Sequence, residues 1–419
     1  MHERPVYNAR ASLWRRETAA RLVPGRNRRN IALVATDWQS LRAEFPLLDR
    51  WVYLNACSLG PLPRAGRVAL ERYAAAWDGL GTPAWYSDWL PTLDRLRAGI
   101  AELLHAPSGS TAIAPSVSAA LTTLASGLPI PPGRRKVLIG ALDFPTIGHQ
   151  WLSRPEFEVE FVPSADGVTI PPEAFAERID ESTALVVTTH LFFTTGYLQD
   201  VRAIAEAAHR HGALCVIDGY QTVGCVPIDV AALDCDAFVG GCLKWLSGGP
   251  GTAFLYVRPS LIPSVLPQGT GWFATRDPFS FTLQQLEFAA DARRLEGGTW
   301  AVPAHYAALA GLELVLSVGV EAIQERLRDL TDRILERLNA AGIRTLTPAD
   351  RSRRCGIVTL ECEQPEEVER RLLADGVVID SRPGRLRLSP HWCVDEAELE
   401  RGLDLVVAHV SQPEGAIRP

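Results

Sequence analysis

A chain of 419 residues, 47% of them apolar, carries enough material for two domains with sizeable cores. Its formal charge of −7 argues against a nucleic-acid partner, because a protein that tracks phosphates needs a basic face. No apolar run approaches the ~20 residues that span a bilayer, and the first residues lack the apolar centre of a secretory signal, so the expected setting is the cytoplasm, away from membranes.

Two biases in residue usage narrow the chemistry. The eight cysteines (Cys57, Cys215, Cys225, Cys235, Cys242, Cys355, Cys362 and Cys393) form no CxxC pair and have no metal-type histidine spacing, so they are expected to be reduced thiols and no metal is expected. Of 42 basic residues only Lys136 and Lys244 are lysines. Arginine replaces lysine on most surfaces but cannot form an imine with an aldehyde, so a lysine that persists here is a candidate for chemistry.

In chain order, residues 1–35 are arginine-rich and aperiodic, and are expected to form a loose extension; residues 36–59 are expected to join the smaller of the two domains. In APSVSAALTTLASG, Pro115 and Ser116 precede a helical pattern and put the N–H groups of Val117 and Ser118 at its start. Unpaired donors there suit an anion such as a phosphate, although a plain serine cap reads the same residues without a ligand.

Short β-rich runs then alternate with helical patterns: KVLIG (136–140), VEFVP (159–163), ALVVTTH (184–190), ALCVID (213–218), AFVGG (237–241) and TAFLYV (252–257). That alternation predicts a mostly parallel sheet in an α/β domain spanning 60–302. The best-defined helix runs from Asp200 to His211, with Val201, Ile204, Ala205 and Ala208 on one face and Gly212 to end it. Beyond 303, helical patterns over 304–318 and 320–341 lead into the strands RTLTP, GIVTLEC and GRLRLSP and a last helix, which predicts a smaller α+β domain over 303–419.

In open α/β sheets ligands sit at the carboxyl ends of the strands. Asp218 ends ALCVID, and Lys244 follows 26 residues later, just beyond AFVGG and before the glycine-rich SGGPG. Both are directed to one rim. Singly, Asp218 is also a strand-end turn former and Lys244 also a surface cation. Together they supply what pyridoxal 5′-phosphate (PLP) requires: a lysine to hold it as a Schiff base, and a carboxylate to keep its ring nitrogen protonated.

At roughly residues 45–410 the chain resembles the class V branch of the fold-type I PLP enzymes, the group of cysteine desulfurases, isopenicillin N epimerase and kynureninase. YLNACSLGPLP (53–63) resembles the opening segment of kynureninases and epimerases. DFPT (143–146) resembles the segment whose phenylalanine stacks on the pyridine ring, here Phe144. IDGYQTVGCVPIDV (217–230) resembles the cofactor strand, which assigns Asp218 to the ring nitrogen and Gln221 to the phenolic oxygen O3′. CLKWLSGGPGTAFLYV (242–257) resembles the lysine segment. EGGTW (296–300) resembles the loop that reaches the partner subunit's phosphate through Gly298 and Thr299, so the resemblance implies a homodimer with shared active sites. GRLRLSP (384–390) resembles the site of the arginine that grips the substrate carboxylate; Arg387 is its candidate, in competition with Arg382 and Arg385.

Departures from each relative shape the expected reaction. Desulfurases carry a nucleophilic cysteine between the two C-terminal arginines and a histidine before the lysine; here no cysteine lies between Arg382 and Arg387, and Leu243 precedes Lys244. Kynureninases carry Tyr, His and Asp where this chain has Leu243, Gln221 and Ile147. Phe193 stands where desulfurases place an asparagine near O3′. What remains is one proton carrier, Lys244, in an apolar surround expected to draw on Phe192, Phe193, Tyr220, Trp245, Trp272 and Trp300, with Trp272 and Tyr220 as substrate contacts. This favours β-elimination from an S-substituted cysteine by a carbon–sulfur lyase. Transamination, epimerisation, decarboxylation with deamination or kynureninase-like hydrolysis would use the same residues. A PLP-binding module without catalysis is the reading from another class.

Overall fold

The computed structural model describes residues 36–411, so the expected extension over 1–35 lies outside the described residues. Twelve strands are described: β1 Val52–Tyr53, β2 Thr111–Ala114, β3 Lys136–Gly140, β4 Glu158–Val162, β5 Thr183–Thr189, β6 Leu214–Asp218, β7 Ala237–Gly241, β8 Ala253–Val257, β9 Val358–Glu361, β10 Val377–Val378, β11 Asp380–Arg382 and β12 Arg385–Leu388.

The centre is a seven-stranded sheet in the order β2-β8-β7-β6-β5-β3-β4. Strands β4, β3, β5, β6 and β7 pair in parallel, while β8 runs antiparallel to both β7 and β2. A parallel strand covered by helices on both faces cannot alternate apolar with polar, and β5 is buried at all seven positions. Each Val, Leu or Ile so buried contributes ~1.5–3 kcal/mol of transfer free energy. Helix Val201–Arg210 packs Val201, Ile204, Ala205 and Ala208 against this sheet. Asp200 caps it through Ala203 N at 3.2 Å, and Gly212 follows with φ +68°.

A second, antiparallel sheet, β11-β12-β9, lies beside helices Val320–Ala340 and Pro365–Ala374. The expected strand RTLTP does not form; it makes only an isolated bridge between Thr345 and Leu360, and the strand pairings of β9 run to β12. Two pairings were absent from the sequence reading. Residues Thr111–Ala114 close the far edge of the large sheet, and β1 pairs in parallel with β10. That second pairing continues through Leu54 N to Val378 O and Ala56 N to Ser389 O, which ties the segment before residue 60 to the C-terminal sheet.

All eight cysteines are free. No single helix among the described residues is long and apolar enough to cross a membrane, and no group of metal-ligating side chains occurs among them.

Candidate active site

Asp218 closes β6, and Lys244 lies three residues beyond β7, so adjacent parallel strands deliver both to one rim of the sheet. Asp218 is 4% exposed, and its Oδ1 accepts from Tyr220 N at 2.8 Å. Burial pushes its carboxyl up to about 6, against the Tyr220 N–H and the Lys244 charge, which both favour ionisation. Lys244 is 9% exposed, and burial pulls its amine down to about 8; Cys57 and Asp218 oppose that shift, while Arg387 and Arg382 add to it. Its Nζ makes no hydrogen bond among the described residues and stands 4.3 Å from the centroid of the Tyr220 ring. The chain's other lysine has a structural partner: Lys136 Nζ donates to Asp180 and to Arg178 O, each at 2.6 Å.

The lysine turn is clasped by the segment before residue 60. Gly60 N donates to Leu243 O at 2.9 Å, and a Cβ at Gly60 would lie 1.9 Å from the Lys244 carbonyl oxygen, so only glycine fits. From the same segment, Cys57 O accepts from Gln221 Nε2 at 3.2 Å. Gln221 is 5% exposed, yet its Oε1 has no partner and Nε2 keeps a second hydrogen. An unpaired buried amide is costly in a closed core and is expected where a polar group is to be bound.

Phe144 leaves β3 through a buried carboxylate. Asp143 accepts from Gly140 N at 2.8 Å, Thr189 N at 2.9 Å and Thr188 Oγ1 at 3.1 Å, and also from Thr189 Oγ1. Burial raises it to about 7 in spite of these bonds. It thereby joins the ends of β3 and β5 and holds Phe144, which stays 42% exposed and meets Phe193 edge-on at 5.1 Å. A large aromatic ring left open beside buried polar groups suits a flat ligand.

Helix Val117–Gly127 starts where expected. Ser116 Oγ takes Ala119 N at 3.1 Å, leaving the N–H groups of Val117 and Ser118 without protein partners among the described residues. They are donors for a phosphate at a helix N-terminus.

Arg387 is 2% exposed. Its Nη1 donates to Phe193 O at 2.7 Å, and its Nη2 to Ser58 Oγ at 2.8 Å and to Asp380. Arg382 also pairs with Asp380, at 2.7 Å, but remains half-buried; Arg385 likewise is not buried. The structure therefore brings Lys244, Asp218, Gln221, Tyr220, Phe144 and Arg387 into one neighbourhood through shared contacts and fields.

Other expected residues stand apart. Gly298 and Thr299 are exposed, and Thr299 lines a groove with Tyr73, Trp77, Trp85 and Trp89. Trp272 is 38% exposed and its ring contacts are Phe273, Phe279 and Phe281, with Phe273 in turn against Trp300. Phe192 and Trp245 are fully buried, and the ring contact of Phe192 is with Tyr197. Trp245 packs where a Cβ on Gly356 would come within 2.4 Å, so it serves the joint between the two sheets' regions.

Sequence reasoning passed over Ser58, Gly60, Asp143 and Asp380. Asp380 had a signal: residues 380 and 387 flank the turn at Pro383-Gly384 with hairpin spacing, and they are register partners.

The buried carboxylate, the unbonded amine, the orphaned amide, the open phenylalanine and the free helix N–H groups together fit PLP. The comparisons agree. The sequence profile described as Aminotransferase class-V matches residues 85–390. An uncharacterized aminotransferase of Bacillus subtilis, YcbU, is 31% identical over 373 residues, covering 88% of this chain and 97% of its own length. A kynureninase of Pseudomonas fluorescens is 28% identical over 363 residues, covering 83% and 85%. In fold, the chain is similar to the cystine C-S lyase C-DES in complex with cysteine persulfide, at TM-score 0.79, 21% identity and coverage of 87% and 99%. A C-DES mutant with glycine covalently linked to its PLP cofactor matches at TM-score 0.80 and 20% identity, covering 87% and 98%. The chain belongs to the class V aminotransferase family of PLP-dependent enzymes, which act on amino acids.

Proposed function

We propose that this enzyme is a carbon–sulfur β-lyase that releases a thiolate from an S-substituted cysteine, leaving pyruvate and ammonia after hydrolysis. The observation that carries the reading is the isolation of Lys244: an amine at about 8, without a hydrogen-bond partner among the described residues, set against the face of the Tyr220 ring. PLP, when bound, supplies an electron sink for negative charge at the substrate α-carbon. Lys244 would hold the cofactor and, as a free amine, would take the α-proton at Nζ. Asp218 would keep the ring nitrogen protonated, Gln221 would serve O3′, Phe144 would offer its ring face, and the Val117 and Ser118 N–H groups would take the phosphate. Arg387 would receive the substrate carboxylate.

A thiolate departs without a dedicated acid. Hydrolysis of a γ-carbonyl compound lacks its assisting groups here, since Leu243, Gln221 and Ile147 occupy their positions and Ile147 is fully buried. The C-S lyase chemistry named for C-DES supports the same direction. We further propose a cytoplasmic homodimer in which Gly298 and Thr299, exposed beside an aromatic groove, complete the partner's phosphate site.

Transamination is the second reading, favoured by the aminotransferase name of a relative matched over 97% of its length. Incubation of the holoenzyme with S-substituted cysteines separates the two. The lyase reading expects catalytic pyruvate, ammonia and free thiol; transfer of the amino group to an added 2-oxo acid without thiol release would replace it with transamination.

A further inference from the structure

Tyr220 sits between the two residues assigned to the cofactor. Its N–H donates to Asp218 Oδ1 at 2.8 Å, and its ring lies under Lys244 Nζ at 4.3 Å from the centroid. The slot that holds this ring is made by Gly241, the last residue of β7. A Cβ there would stand 2.3 Å from Tyr220 Cε2 and 2.9 Å from Cζ. Gly241 is not in the positive-φ region, so its missing side chain is a matter of room rather than backbone freedom. A tyrosine, a glycine two strand-ends away and a lysine three residues after that glycine form one stacked arrangement.

An ammonium in this place has few alternatives. Nζ makes no hydrogen bond among the described residues, and the groups that act on it are Cys57 and Asp218 on one side and Arg387 and Arg382 on the other. Burial disfavours its charge. An aromatic face is the neutral surface that attracts a cation without bringing a second titrating charge, and burial keeps the Tyr220 phenol uncharged by raising it to about 12.

We infer that Tyr220 is a positioning residue for Lys244, its ring face being where the amine rests whenever it is free and where it stays once it has taken a proton. The inference rests on the reading of Lys244 as the Schiff-base lysine and proton carrier, and adds the device that holds it. The ring face acts, not the hydroxyl, so phenylalanine suffices and an aliphatic residue does not.

The presence of only two lysines makes a direct test available. The full-length chain, made with ¹³C-labelled lysine and freed of cofactor, gives two sets of ε-methylene NMR signals, with Lys136 as internal reference and as a monitor of folding. The expected result is an upfield ring-current displacement of the Lys244 signal in the wild type and in Tyr220→Phe, and its loss in Tyr220→Leu. The same titration in Tyr220→Leu is expected to show an ammonium-to-amine ratio about threefold to tenfold lower at a given pH. In the reconstituted enzyme, kcat falls in Tyr220→Leu with KM little changed, and Tyr220→Phe restores it. An unshifted Lys244 signal in the wild type overturns the inference whether or not any variant folds. So does a rise in KM with kcat and midpoint unmoved, which would make Tyr220 a substrate contact, and so does failure of Tyr220→Phe to restore the wild-type signal. Loss of the Schiff-base reading itself is a separate result, seen as visible absorbance that survives Lys244→Ala.

Discussion

Arg387 Nη2 lies 2.8 Å from Ser58 Oγ, joining residues 329 positions apart in the chain. Ser58 follows the stretch that pairs with β10, and Arg387 lies on β12, so the contact draws the opening segment and the C-terminal sheet over the same rim as Lys244. Asp380 and Phe193 O take two more of the five guanidinium N–H groups, leaving Nε and one Nη1 hydrogen without a partner among the described residues. Arg387 is thus fixed in orientation before substrate arrives. Arg387→Lys keeps the charge but loses the planar fork, and is expected to raise KM by about tenfold to a hundredfold, ~1.4–3 kcal/mol. The visible absorbance of the bound cofactor should be unchanged; steady-state kinetics beside a spectrum checks both.

Lys244, at about 8, carries roughly a hundredfold more free amine at pH 7.5 than an ordinary lysine would. Capture of PLP by the cofactor-free chain should therefore quicken as pH rises through about 8 and level off above it, whereas an unperturbed lysine would keep gaining to about 10. The sign for stability follows from the same depression. Between about 10 and 8 the unfolded chain takes a proton that the folded chain refuses, so this residue's cost grows as pH falls. Stopped-flow mixing with PLP across that range measures the midpoint.

Asp218 titrates in the opposite sense. Burial raises it to about 6, so the folded chain holds its proton longer than the unfolded chain, and stability falls as pH rises from about 4 to 6. Above that window the ionised carboxylate is a cost that a cationic ring nitrogen offsets. Asp218→Asn should leave the cofactor-free chain at least as stable at pH 7.5, yet gain little melting temperature from PLP and lose about a hundredfold or more in kcat. Thermal melts with and without PLP distinguish this from a folding defect, which would lower both curves.

Gly60→Ala places a Cβ 1.9 Å from the Lys244 carbonyl, against backbone that has no side chain to turn aside. The expected cost is ~2 kcal/mol or more, together with weakened cofactor retention. Gly79→Ala, in helix Arg64–Leu80 with nothing near its Cβ, is the control and should be neutral or stabilising by ~0.5–1 kcal/mol. Differential scanning calorimetry of the two variants compares them.

The large sheet was legible because its inner parallel strands β5, β6 and β7 are buried on both faces, and so read as unbroken apolar runs ending in Asp218 or just before Lys244. Thr111–Ala114 was not, since four residues of modest hydrophobicity make a strand only by pairing with β8 at the sheet edge. The run RTLTP had strand composition but makes only a bridge, with Leu346 N and Arg344 O bonded to the edge of β9 that β12 does not use. In the site, Asp218, Lys244 and the helix start at Val117 were local signals. Ser58, Gly60 and Asp380 act through contacts with distant segments, and hydrophobic periodicity says nothing about which loop lies over which turn. Trp245 shows the converse: it adjoins the lysine in sequence, yet its ring is packed in the core against Gly356.

The most direct test of the account is the visible spectrum of the purified wild type beside Lys244→Ala, each reconstituted with PLP. The wild type should absorb at about 410–430 nm as a lysine-held Schiff base, and Lys244→Ala should lack that band while still binding PLP as the free aldehyde. A wild type that stays colourless after reconstitution, or a Lys244→Ala protein with an undiminished band, would contradict the assignment of Lys244 on which the rest depends.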